Sequence, residues 1–164
     1  MCQAFDSVVS YLDDNEVRHI THDAQNKCDA LLFVNGVTRV LTITYSETDG
    51  LLALKCATGL GCPIGAKPAI AEAIARVNLK VKVGQFCLDF ADGELFYEIV
   101  QIHDDEDVAV PDELLNRIVG TSIGTTIDLT NVFSEVIFAN ESADSAVNHF
   151  FSEAPGEESP GDED

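Results

Sequence analysis

The chain has no tryptophan, a single methionine, and only nine lysine and arginine residues against 29 aspartates and glutamates. The shortage of positive charge is uneven. Residues 1–83 hold eight basic and nine acidic side chains, whereas residues 84–164 hold Arg117 alone against twenty acids. A field of that sign repels phosphate, so neither nucleic acid nor an anionic membrane surface is an expected partner. Solvated faces and tails account for most runs of this kind. No apolar run approaches the ~18 residues that a membrane-spanning helix needs. Met1 to Asp14 lacks both a basic residue and an apolar stretch with a small-residue cleavage site, so no secretory leader is expected, and the cytoplasm is the expected location. Five cysteines, an odd number without a CxxC pair, read in that setting as free thiols, several of them buried as small hydrophobes.

What is present is the patterning of one α+β domain. The 164 residues, 46% hydrophobic, suffice for a single core. Phe5, Val8, Val9 and Leu12 recur at helical spacing and predict a first helix over Gln3 to Asp13. A short strand is expected over Val17 to His22. Leu31 to Val34, Val37 to Tyr45 and Leu51 to Cys56 are apolar runs separated by Asn35-Gly36 and Asp49-Gly50, whose left-handed backbone angles favour tight hairpins. Ala66 to Leu79 returns to helical spacing, with Ile70, Ala73, Ile74 and Val77 on one face and Pro68 in the first turn, where a missing N–H is harmless. Phe86, Leu88 and Phe90 alternate with Cys87 and Asp89 as a half-buried strand, which Asp92-Gly93 turns back into Leu95 to Ile102.

After Pro111 a long helix is expected to about Phe138, its acidic start at Asp112 and Glu113 suiting the positive end of the helix dipole. Ser142 can cap a last short helix carrying Ala146, Val147, Phe150 and Phe151. The domain is expected over residues 1–151. Residues 152–164, dominated by Gly, Pro, Ser and acid, are expected to be a disordered acidic tail. Strands joined by hairpins, with helices between the groups, indicate an antiparallel α+β fold.

Several motifs invite chemical readings. Gly120-Thr121-Ser122-Ile123-Gly124 matches GxSxG, the nucleophile elbow of α/β-hydrolases, and Asp128 or Asp144 with His149 would complete a triad in chain order. That elbow needs a strand before the serine and a helix after it. Here the motif falls inside a helical repeat, so no catalytic residue is assigned, and Gly120 and Gly124 are expected to share a face that allows close packing. A small serine hydrolase using Ser122 stands as an alternative.

Gly59, Gly61 and Gly65 resemble the start of a dinucleotide fingerprint, but the third glycine is one residue late and no parallel βαβ unit surrounds it. They are expected to permit a tight connection beside Pro63, and no cofactor is assigned. His19 and His22 on one strand would point to opposite faces. Cys56 and Cys62 are too far apart for a paired zinc motif, and Asp104, Asp105 and Asp107 beside His103 lack the glycine and glutamate of a calcium loop. No metal site is assigned. A regulator that binds a small molecule or a cation, through the sheet cleft or this acidic loop, is a further alternative.

The segment Ile70-Ala71-Glu72-Ala73-Ile74-Ala75-Arg76-Val77-Asn78, followed by Val83-Gly84-Gln85-Phe86-Cys87-Leu88-Asp89-Phe90-Ala91-Asp92-Gly93-Glu94-Leu95, resembles the YbjN-type family of bacterial sensory transduction regulators. A helix ending in Asn, a G-x-F-x-L-D-x-x-D-G-E hairpin and a long following helix carry the likeness, which covers about Gln3 to Phe138. It implies a type III secretion chaperone-like fold, α-β-β-β-α-β-β-α, and no catalytic residues. Asp89, Asp92 and Gly93 match its hairpin and read as structural. The expected function is a non-enzymatic protein-binding module with a regulatory or chaperone-like role, forming a homodimer. Edge strands offer backbone groups to a partner and apolar patches on the sheet or last helix can supply anchors; Val147, Phe150 and Phe151 are the expected ones, with packing back onto their own domain as the alternative.

Overall fold

The computed structural model describes residues 2–103 and 105–153. Its elements are helix α1 (Gln3–Asp14), strands β1 (Arg18–His22), β2 (Lys27–Val34), β3 (Val37–Ser46) and β4 (Leu51–Gly61), helix α2 (Lys67–Asn78), strands β5 (Gln85–Leu88) and β6 (Glu94–Ile102), and helices α3 (Asp112–Phe138) and α4 (Ala143–Glu153). The six strands form one sheet in the order β1-β2-β3-β4-β6-β5, every neighbouring pair antiparallel. This is the expected antiparallel α+β architecture, in the order α-β-β-β-β-α-β-β-α-α, one strand and one helix longer than the expected α-β-β-β-α-β-β-α.

Turn chemistry sets the register. Asn35 and Gly36 both take positive φ, so the two-residue loop closes directly on the Val34–Val37 pair. Gly50 and Gly93 supply the same freedom to the β3–β4 and β5–β6 hairpins. At the third, Asp89 and Asp92 accept hydrogen bonds from the backbone N–H of Ala91 and Glu94, so both carboxylates organise the turn. Strand β5 ends at Leu88, and Phe90, expected on the buried face, therefore lies in the turn and is exposed. Gly59 and Gly61 were expected in a connection. They instead belong to the end of β4, where the pairing with β6 shifts register between Ala57 and Gly61.

The core lies on one face of the sheet. Cys28, Ala30, Leu41, Ile43, Leu52, Leu54, Leu95, Tyr97 and Ile99 alternate inward along their strands and are buried under the helices. Helix α3 contributes Leu115, Val119, Leu129, Val132 and Phe133, with Phe133 and Phe86 ring centroids 4.9 Å apart. Burying a ring of this size contributes about 2–3 kcal/mol. Helix α1 is fastened to the loop before α3 by the Ala4 N–H on the Glu106 carbonyl (3.0 Å) and the Val110 N–H on the Ser7 Oγ (2.9 Å). Helix α4 packs on α2 and α3. It is capped as expected, the Ser142 Oγ accepting from the Ser145 N–H.

Candidate interaction surface

Among the described residues no helix covers the other face of the sheet, and alternation places its side chains. Ile20, Leu31, Phe33 and Val40 stand together there on β1, β2 and β3; Ile20 is 66% exposed and Phe33 75%. Leu31 sits directly opposite Arg18 on one side and Val40 on the other. Together these four side chains show roughly 400 Å² of apolar surface, within the size range of the largest patch on a monomer and often functional. A cavity of about 200 Å³ opens among Arg18, Ile20, Asp29, Leu31 and Val40. A second apolar area, Val100 and Ile102, lies on β6.

Between the two runs a polar band. Asp29 accepts from the Thr42 hydroxyl (2.7 Å), the Lys27 ammonium (2.9 Å) and, across 3.1 Å, meets His22 Nε2. Partial burial pulls the Asp29 carboxyl up, but the Thr42 hydroxyl, Lys27 and His22 outweigh it and hold the group below the ordinary carboxylate range. Lys55 bridges to Glu94 at 2.5 Å and lies 4.0 Å over the Phe96 ring.

The two edges of the sheet differ. On β5, the Asn78 side chain accepts from the Phe86 N–H (2.8 Å) and donates to the Phe86 carbonyl (3.1 Å), taking the place of a neighbouring strand. Gly84 comes just before. At φ +69 it passes so close to β6 that an added Cβ would lie 2.5 Å from the Tyr97 hydroxyl, which itself donates to the Val83 carbonyl. On β1, the alternation that begins at the Asn35-Gly36 turn directs the backbone groups of Arg18, Ile20 and His22 toward β2, and those of His19 and Thr21 outward. The outward groups find no backbone partner among the described residues. The β1 edge is open beside the apolar patch.

The residues expected from sequence to act lie elsewhere. Val147 is 3% exposed and enclosed in the helix layer, because Ala143, Ala146 and Val147 form the buried stripe of α4. Phe150 and Phe151 are half-buried and stack edge-on at 5.1 Å. Phe150 borders a cavity of about 300 Å³ with Val81, Val83, Thr121, Thr125 and Leu129.

Ser122 sits in the middle of α3, wholly buried, with no strand-to-helix turn around it and no hydrogen bond to its Oγ. The space in front of Gly120 and Gly124 is open, so these glycines do not serve the close packing expected of them. His19 faces the helix side near Asp13 and His22 the bare face beside Asp29. The Tyr45 hydroxyl donates to the His103 carbonyl (2.8 Å), which ties the start of the acidic loop to the sheet; Asp104 and the tail beyond residue 153 lie outside the described residues.

An apolar patch on the sheet is expected from the sequence, but its residues are not. Its signal was there: Leu31-Leu32-Phe33-Val34 is apolar at consecutive positions, so one half of the run had to face away from the core.

No protein family and no curated protein matches the chain. Among solved structures, a chain in the HopA1–SchA chaperone–effector complex shares the fold at a TM-score of 0.51 and 14% identity, over 76% of this chain and 92% of that one. No helix among the described residues is long and apolar enough to cross a membrane.

Proposed function

We propose that this protein is a non-enzymatic, cytoplasmic protein-binding module of YbjN type, with a regulatory or chaperone-like role, that works as a homodimer. The observation that carries the reading is the bare apolar face running up to an unpaired edge strand. An extended segment of a partner can add to β1 through the outward groups of His19 and Thr21 while an apolar side chain enters the cavity beside Leu31. The likeness to a chain from a chaperone–effector complex supports a protein partner. The second apolar area at Val100 and Ile102 brings the face toward the ~800 Å² per partner of a standard interface, which supports self-association. Phe150 and Phe151 offer a further contact on the helix side.

The double variant Leu31→Asp/Phe33→Asp tests this. Both side chains are exposed, so the variant keeps its melting temperature, while a partner captured from native cell extract by the parent chain is lost. A chain that is strictly monomeric by sedimentation and captures nothing refutes the proposal. The cavity beside Phe150 favours a second reading, a small-molecule regulator, tested by a thermal-shift metabolite screen.

A further inference from the structure

We propose that Arg39 anchors a carboxylate-binding site at the point where strands β3 and β4 part. Arg39 is 8% exposed and points into the helix side of the sheet. A guanidinium does not lose its charge on burial, so an unpaired one is strongly disfavoured without a counter-ion. Elsewhere in the chain the inward or bridging cations are matched: Lys27 with Asp29, Lys55 with Glu94, Arg76 with Glu72 and Asp144. Lys67, as deeply buried, donates to the Phe90 carbonyl at 2.6 Å. The hydrogen-bond partner of Arg39 is the Thr130 hydroxyl, at 3.4 Å, with the Cys56 thiol nearby and no carboxylate among the described residues. Its Nε is sealed from solvent with no acceptor. Its charge can be met only from the Nη side.

On that side the sheet opens. The β3–β4 pairing ends at Leu41 and Cys56, while β3 continues along β2 to Val37 and β4 bulges along β6. Gly59, exposed and at φ +77, borders the gap; a Cβ there would come 3.9 Å from Arg39 Nη1. Exposed Gly59 thus places a surface position in ordinary contact range of the guanidinium, with the Thr130 hydroxyl on its other side. Two parallel N–H groups of a planar guanidinium match one carboxylate. A net charge of −20 penalises each added negative charge, so a monoanion is favoured over a phosphate. The Gly59-Leu60-Gly61 stretch thus admits a carboxylate rather than a dinucleotide.

The carboxylate can belong to a small molecule or to a partner's acidic side chain, and the test separates the two. The Nε–Hε cross-peaks of the four arginines in the ¹⁵N-labelled full chain are followed against sodium acetate and against acetyl-Val-Glu-Val-amide, with sodium chloride at equal ionic strength as control. A saturable shift of the Arg39 cross-peak is expected, with a rise in melting temperature that Arg39→Gln abolishes. A response to acetate assigns a small ligand, and a response to the peptide alone assigns a partner's side chain. If neither probe moves the cross-peak beyond the chloride control, or if Arg39→Gln shows the same thermal rise, the proposal is overturned. Should Arg39→Gln not fold, the wild-type titration decides.

Discussion

Replacing Asn78 by alanine tests how the β5 edge is closed. The Asn78 amide makes two hydrogen bonds to Phe86, at 2.8 and 3.1 Å, and Phe86 is itself buried. Two such bonds contribute about 1 kcal/mol each, and a buried backbone group left without a partner adds about 1–3 kcal/mol. A loss near 3 kcal/mol is therefore expected, a substantial part of the 5–15 kcal/mol typical of a domain. At this chain length it corresponds to a melting temperature roughly 6–12 °C lower. Urea unfolding followed by circular dichroism, with an unchanged m-value, gives the number. Amide exchange at Phe86 should quicken in parallel. Asn78→Asp separates the two bonds: it keeps the acceptor for the Phe86 N–H but turns an oxygen toward the Phe86 carbonyl, so it should do no better than alanine at neutral pH. A loss below ~0.5 kcal/mol for Asn78→Ala would mean that the side chain does not close this edge.

Two further outcomes follow from groups inside the domain. Ser122→Ala removes a buried hydroxyl that has no hydrogen bond and should leave stability unchanged or raise it by up to about 1 kcal/mol in the same unfolding assay, while a fluorophosphonate probe leaves the parent chain unlabelled. Stoichiometric labelling of Ser122 would restore the hydrolase reading. Asp29 titrates below its unfolded value, so its contribution is complete above about pH 4 and is lost as the pH falls through the folded pKa. Asn in its place should flatten the acid limb of a melting-temperature-against-pH curve and leave the limb above neutrality alone.

Local chemistry made most elements legible. Asn35-Gly36, Asp49-Gly50 and Asp92-Gly93 placed three of the four hairpins, the β1–β2 turn at Asp23 to Asn26 carrying no such pair, and the apolar spacing from Leu115 to Phe133 gave α3 nearly to the residue. Three things depended on distant partners. Strand β2 begins at Lys27, four residues before the apolar run suggests, because Cys28 and Ala30 are small residues pressed under the helices. The insertion of β6 between β4 and β5 is a choice of neighbour that no hairpin signal encodes. Ser122 and Thr126 lie on the buried face of α3, where a polar side chain gives no periodic signal; the Thr126 hydroxyl donates to the Ser122 carbonyl one turn back. Consecutive apolar positions at Leu31 to Val34 signal a second apolar face, but not which of the two stays bare, because an apolar residue facing solvent reads, in sequence, like one facing the core.

The one-sided sheet has a consequence for how this protein can change. The core is built from one set of alternate strand positions, and the apolar bare face proposed for recognition from the set between them, so Leu31, Phe33 and Val40 take no part in packing against the helices. Leu41 and Ile43 must fit the helices; Val40 and Thr42 need fit nothing within the domain beyond their neighbours on the sheet. If that face binds as proposed, its specificity can be rewritten at Leu31, Phe33 and Val40 while the fold stays as it is, and a library confined to those positions would sample new partners from a constant scaffold.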